Sequence, residues 1–235
     1  MVDERADKAA LPVCVVVPAL NAAGGLAETL AAVLGRVQRM IVANGGSTDA
    51  TVAVAERQGA DVVQAERGRG LQLAAGGAAA LRSGCPWLLF LHADTRLQEG
   101  WAGVVRRHIA QPGSEGLAGY FRFRLDDASP EARRVERLVD WRCRRFALPY
   151  GDQGLLIHRS LYEQLGGFRP LPLMEDVDLV RRIGRARLRM LDADALTAAA
   201  RYRRDGYWRR PARNLSLLAL YFLGVAPERL VHWYG

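Results

Sequence analysis

Trp87-Leu-Leu-Phe-Leu-His-Ala-Asp-Thr95 decides the fold of this 235-residue chain. Five apolar residues in a row, with no charge among them, read as a strand buried on both faces. The abrupt change to His92-Ala-Asp-Thr95 marks the strand's carboxyl end and puts polar chemistry there. Working outward, the same pattern recurs toward the N-terminus. Residues 11–17 (Leu-Pro-Val-Cys-Val-Val-Val) are a short β-branched run, and residues 39–43 and 61–65 read as two further strands. Helical spacing separates them: residues 26–37, with Leu26, Leu30, Val33 and Leu34 on one face, then 50–58, then the alanine-rich 70–83. Thr48 or Asp49 is placed to cap the second of these helices. This βαβαβαβ order predicts an α/β fold with a mainly parallel central sheet flanked by helices. Such sheets bind ligands beyond the carboxyl ends of their strands, so residues 44–49 and 92–95 are expected to face one crevice.

The second half is less regular. Residues 119–125 alternate strictly and read as a half-buried strand. Residues 130–146 form a basic helix with Arg133, Arg134, Arg137, Arg142, Arg144 and Arg145. Residues 154–158 follow a turn at 150–153 as a short strand. A helical turn at 161–165 closes on Gly166-Gly167, a helix opens at 174–180, and 187–191 reads as a strand. Residues 201–213 are basic and aromatic. No repeat and no long linker divides the chain, so residues 1–235 are expected to form one domain.

Composition narrows the function classes. Half the residues are hydrophobic, which excludes a disordered chain. Cys14, Cys85 and Cys143 form no CxxC pair, which excludes a disulfide scaffold or zinc finger and suggests buried thiols in a reducing compartment. Lys+Arg 33 against Asp+Glu 25 gives 33 − 25 = +8, and Lys8 is the only lysine. An arginine surplus suits three partners: nucleic acid, an anionic membrane surface, or a phosphorylated substrate. The polar segment 1–10 and the short run at 11–17 do not make a signal peptide. The apolar stretch 215–225 falls short of the roughly 20 residues that span a bilayer. The expectation is a cytoplasmic protein, with peripheral membrane contact by the C-terminal segment left open. The apolar residues 215–223 read as core, dimer seam or membrane-surface anchor, with core favoured.

Four carboxylates sit at strand ends, loops and helix starts: Asp94, Asp152, Glu175 and Asp176. Hard cations such as Mg²⁺ or Mn²⁺ take oxygen ligands and bridge carboxylates to phosphates, which makes Asp94 the metal-ligand candidate, with His92 beside it. The plainer alternatives are a turn or cap role for Asp94 and helix-dipole complementation for Glu175 and Asp176. Gly68-Arg-Gly70 before a helix is a weak anion cradle. No dinucleotide GxGxxG, P-loop or nucleophile elbow is present. His108 reads as a helical surface residue and His158 as structural, while His232 is uninformative.

Val15-Val-Val-Pro-Ala-Leu-Asn21, Ile41-Val-Ala-Asn-Gly-Gly-Ser-Thr-Asp49, Leu89-Phe-Leu-His-Ala-Asp94, Gly151-Asp-Gln153 and Met174-Glu-Asp-Val-Asp-Leu179 occur in that order. The set resembles the family 2 glycosyltransferases, and most of all a small bacterial biosynthetic subgroup with HADT, GDQ and PLMED signatures. The resemblance implies a GT-A fold: a Rossmann-like sheet with a nucleotide-binding half at 11–110, a mixed acceptor-side half at 111–200 and a basic, apolar helical tail at 201–235. It implies an inverting, metal-dependent transfer of one sugar from a nucleotide-diphosphate sugar to an acceptor hydroxyl. Pro18 and Asn21 would line the base. Asn44 stands where the family has an aspartate on the uracil ring, and Ser47 and Asp49 complete that turn. Arg69 would lie near the diphosphate. His92-Ala-Asp94 replaces the DxD motif, with Asp94 holding Mn²⁺ or Mg²⁺. Asp176 matches the catalytic base with Glu175 its neighbour, and Gly151, Asp152 and Gln153 match an acceptor-side loop. The QxxRW motif of processive synthases is missing. Two alternatives stand beside this reading. One is a nucleotide-sugar binder without catalysis, motivated by Asn44 and His92. The other is an anionic-surface protein, motivated by Arg201 to Arg213 with Tyr202, Tyr207 and Trp208. Nucleic acid ranks below a solvated arginine face, and homodimerisation is left open.

Overall fold

Val13, Val15 and Val17 of the first strand, β1 (Leu11–Ala19), pack on one face of the sheet, and Cys14 and Val16 pack on the other. That alternation with both sides apolar is what a central strand covered by helices requires. In the computed structural model, which describes residues 9–234, β1 has neighbours on both sides. Residues 1–8, which include Lys8 and most of the polar N-terminal segment, and Gly235 lie outside the described residues.

The chain runs β1, α1 (Ala23–Ala31), β2 (Val37–Asn44), α2 (Thr51–Arg57), β3 (Asp61–Gln64), α3 (Arg69–Arg82) and β4 (Trp87–Phe90). It continues through β5 (Thr95–Leu97), α4 (Trp101–Ile109), β6 (Ala118–Leu125), α5 (Pro130–Phe146), β7 (Leu155–His158) and α6 (Arg159–Gln164). The last elements are α7 (Glu175–Ile183), β8 (Leu188–Thr197), α8 (Ala200–Asp205), α9 (Arg209–Phe222) and α10 (Pro227–Tyr234). The sheet order is β3-β2-β1-β4-β7-β6-β8-β5. The expected βαβ half is present: β3, β2, β1 and β4 are mutually parallel. Beyond β4 the sheet is mixed. β7 runs antiparallel to both β4 and β6, β6 is parallel to β8, and β5 is antiparallel to β8. The observed class is a mixed α/β sheet flanked by helices, consistent with a GT-A, Rossmann-like architecture.

Several local expectations are corrected. α1 stops at Ala31, and Val37 belongs to β2. Leu34 sits in the intervening turns with half its surface exposed. Ala50 holds the N-cap position of α2, and of the two expected capping residues it is Asp49 whose carboxylate accepts from the first amide of the helix, that of Thr51 (3.0 Å). The alternation in β6 is broken by a register shift between Phe121 and Arg122, where β8 carries extra residues between Leu191 and Asp194. β8 extends from the expected 187–191 to Thr197, and β5 was not anticipated. His108 is buried, edge-on to Trp87 with ring centroids 5.9 Å apart. The three cysteines are free and buried, as expected, and burial pushes the Cys14 thiol up to about 12. α9 buries Leu217 and Leu218 in the core but exposes Leu215 and Phe222. Among the described residues no helix is long and apolar enough to cross a membrane.

Candidate active site

The carboxyl ends of β1 and β2 are tied together by Gln72 of α3. Its buried Nε2 donates to the carbonyls of Ala19 (2.7 Å) and Ala43 (3.0 Å). Above them the predicted nucleotide-side residues meet in one pair of loops. Asn44 Nδ2 donates to Gln64 Oε1 (2.8 Å), and Asn44 Oδ1 accepts from the Ser47 amide (3.0 Å). Asn21 Oδ1 accepts from the Thr48 amide (2.9 Å), while Ser47 Oγ accepts from the Asn21 amide (3.0 Å). Asp49 accepts from the amides of Ala23 (3.2 Å) and Thr51 (3.0 Å). Pro18 is buried in β1 opposite Ala43. The structure therefore brings these residues together, with both ends of the Asn44 amide bonded to the protein itself.

The second cluster lies at the carboxyl end of β4 and lines a cavity of about 720 Å³. None of Pro18, Asn21, Asn44, Ser47 and Asp49 is part of its lining, whereas Arg69, His92, Asp94, Asp152, Asp176 and Arg201 are. Asp176 is in the first turn of α7, where a carboxylate complements the helix dipole. Its Oδ2 accepts from the Gly151 amide (2.9 Å) and its Oδ1 from the Val177 amide (2.8 Å). α7 starts from Met174, a non-glycine residue at φ 64°, a left-handed conformation that a bulky side chain adopts only at a cost. Gly151 sits directly on His92: a Cβ there would lie 2.3 Å from His92 Nε2. This contact and the Gly151–Asp176 bond lock the 151–153 turn to both β4 and α7.

Electrostatics divide the wall. Burial first, and then the Arg69 charge, hold the His92 imidazole down at about 4, so it is neutral at physiological pH. Burial pushes the Asp152 carboxyl up to about 6, and its Oδ1 is enclosed with no hydrogen-bond partner. Asp94 faces Arg201 at 3.6 Å.

Three expectations change in detail. Glu175 is fully enclosed, pairs with Arg69 and is not part of the cavity lining. Gln153 is buried. Its Oε1 accepts from the Tyr150 amide and Arg142, its Nε2 donates to the Phe121 carbonyl, and the side chain is not part of the cavity lining. Gly151 contributes its amide and its lack of a Cβ, leaving Asp152 as the one side chain of that turn on the cavity. Sequence reasoning missed Gln72, Arg142 and Arg201 as site residues. Arg142 caps the Tyr150 ring at 3.4 Å. Nothing in the local pattern of a basic segment separates such an arginine from a solvated one.

Among the described residues no three His, Cys, Asp or Glu side chains converge to hold a metal ion. Asp94 is a part-exposed oxygen donor on the cavity wall. A single carboxylate fits Mg²⁺ or Mn²⁺ when substrate phosphates and water complete the shell.

A model of the family "Glycosyl transferase family 2" matches residues 14–168. Among solved structures, glucosyl-3-phosphoglycerate synthase from Mycobacterium tuberculosis, in complex with Mn²⁺, uridine diphosphate and glucosyl-3-phosphoglycerate, is 23% identical. It has a TM-score of 0.55 over 80% of this chain and 72% of that one. Mannosyl-3-phosphoglycerate synthase from Rubrobacter xylanophilus is 16% identical, with a TM-score of 0.54 over 79% of this chain and 66% of that one. At these identities the likeness is one of fold. No curated protein matches the chain. With the family match running from β1 through α6 and the sheet built accordingly, the chain belongs to glycosyl transferase family 2.

Proposed function

We propose that the chain transfers one sugar, with inversion, from a nucleotide-diphosphate sugar to an acceptor hydroxyl. The observation that supports this reading best is Asp176, whose two carboxylate oxygens are held by backbone amides while the residue lines the cavity. A carboxylate fixed in this way takes the acceptor's proton as its oxygen attacks. One base and no covalent intermediate give inversion. Arg69, held by Glu175, and Arg201 supply positive charge on the same wall, where the diphosphate would leave. A Mn²⁺ or Mg²⁺ ion at Asp94 would add Lewis-acid neutralisation of that leaving group. The nucleoside would lie on the loop pair built by Asn21, Asn44, Ser47 and Asp49, over Pro18. The Mycobacterium tuberculosis relative, crystallised with Mn²⁺ and uridine diphosphate, lends support through its fold.

Calorimetry with nucleoside diphosphates, with and without Mn²⁺, tests the donor side. Asp94→Asn is expected to abolish the metal-dependent part of the affinity. Asp176→Asn should leave that affinity intact and lower turnover by about 10²–10⁴-fold. Unchanged turnover in Asp176→Asn would remove the proposed base. The second reading is a nucleotide-sugar binder without catalysis. It is favoured by the guanidinium of Arg201 at Asp94, where the cation would go, and it predicts donor binding indifferent to metal.

A further inference from the structure

The cavity does not end at the carboxylates. From His92, Asp152 and Asp176 it continues between α5, α7 and α9, where Val139, Leu148, Leu173, Val177, Leu217 and Leu218 make its walls. Leu138, Trp141, Phe146, Leu215 and Phe222 also line it and are about half exposed or more, from 47% at Phe222 to 64% at Leu215. Large apolar side chains gathered at one opening mark a binding surface. A small polar acceptor would leave that hydrocarbon wet, and a polar group pushed into it would lose its water with nothing in return. At the inner end the need is the opposite. The buried Asp152 Oδ1 has no donor, and a buried acceptor atom calls for one. At the mouth, Arg145 lies over the Phe146 ring (5.3 Å) and Arg181 over the Phe222 ring (4.9 Å), so positive charge borders the apolar rim. That arrangement suits uptake from an anionic bilayer surface.

We infer that the acceptor is a lipid alcohol, with its hydrocarbon in the arm between α5, α7 and α9 and its hydroxyl at Asp152 and Asp176. This deepens the transferase reading and rests on it. In the step, the O–H bond of the alcohol breaks and its proton passes to the Asp176 carboxylate. The oxygen's electron pair forms the new bond to the anomeric carbon as the bond from that carbon to the diphosphate oxygen breaks. The nucleoside diphosphate leaves with that electron pair, and the other product is a lipid glycoside. An ionised phosphate head would not need a base, and it would bring negative charge against three carboxylates.

The test is a tryptophan-fluorescence titration of the full chain with 1-butanol, 1-hexanol and 1-octanol, with Trp141 on the rim as reporter. Each added methylene should tighten binding about three- to fourfold. Methyl octyl ether, which lacks the O–H donor, should bind about tenfold more weakly than 1-octanol. Octyl phosphate should bind no more tightly than 1-octanol. Ala219→Phe fills the arm from an exposed position of α9 and should weaken 1-octanol binding without changing nucleoside-diphosphate affinity. A flat chain-length series, tighter binding of octyl phosphate, or an Ala219→Phe variant with unaltered 1-octanol affinity overturns the inference. Calorimetry of the donor on the same sample keeps the two readings apart. Donor binding with no chain-length dependence sinks the lipid acceptor alone. The full alcohol series without donor binding sinks the transferase reading and leaves the hydrocarbon site standing.

Discussion

Asp152 and His92 share one wall and titrate in opposite senses. Asp152 is raised from the ordinary 3.8 to about 6 by burial, so the folded protein holds its proton more tightly than the unfolded chain does. Its contribution is therefore present below pH 4 and lost as pH rises through 6. His92 is lowered from 6.5 to about 4, so its contribution is present above 6.5 and lost as pH falls toward 4. Between those limits the two slopes oppose each other. Asp152→Asn removes one of them. In EDTA the variant should melt higher than the parent at pH 8, by a few degrees, and the advantage should vanish near pH 4. An advantage independent of pH would mean that Asp152 is not buried as a carboxylate. Residue identity was legible in sequence where a carboxylate stood at an element end, as with Asp94 and Asp176. What could not be read was which of two adjacent carboxylates faces the cavity. Glu175 and Asp178 lie three apart on one buried face of α7 and both pair with arginines, and Asp176 lies off that face.

Helix boundaries were legible where the chain carries its own punctuation. α5 occupies the expected 130–146 because Ser129 caps it, accepting from the Ala132 amide at 3.2 Å, and Pro130 suits its first turn. α1 lacks such marks. Apolar residues continue past its end, so Val33 and Leu34 extend the helical pattern although the chain has already turned toward Gly35. Two glycines show how element packing decides what composition cannot. In α1 a Cβ on Gly24 would meet nothing within 4 Å, so Gly24→Ala is expected to stabilise by about 0.5–1 kcal/mol through helix propensity. In α3 a Cβ on Gly70 would lie 2.3 Å from the Leu171 carbonyl oxygen and 2.8 Å from its nitrogen. Backbone cannot move aside as a side chain does, so Gly70→Ala should destabilise by about 1–3 kcal/mol. It should also displace the neighbouring Arg69 from Glu175. Urea denaturation of the two variants measures both signs. An equal response would contradict the close docking of α3 on the 169–171 segment. The Gly68-Arg-Gly70 motif that read as an anion cradle thus has a packing reason for its second glycine.

At the scale of the molecule, the parallel half was legible because its four strands alternate regularly with helices, although β4 returns past β2 and β3 to pair with β1. The other half was not. β7 inserts between β4 and β6, and β6 pairs with β8 across more than sixty intervening residues, which periodicity along the chain does not record. The same long-range folding changes the meaning of the charge. The +8 surplus suggested a polyanion partner, with residues 201–213 as the first place to look. In the fold that segment is largely spoken for. Arg201 faces Asp94, Arg203 faces Asp127, and Arg204, Arg210 and Arg213 gather on Asp205. Tyr207 donates to Asp127 (2.6 Å), and Tyr202 is buried and stacked on Tyr207 with centroids 5.8 Å apart, so neither ring is presented to a base. A nucleic-acid surface needs arginines free to displace counterions, each phosphate contact adding about 0.9 to the slope of log affinity against log salt. With these arginines already engaged by carboxylates, duplex DNA should bind with a slope no steeper than about 3 and be released by about 0.15 M salt. Asp205→Asn, which removes the negative charge that three arginines share, should steepen that slope. A slope near 6 or beyond in the parent protein would show that the internal pairs open to phosphate and would return nucleic acid to consideration.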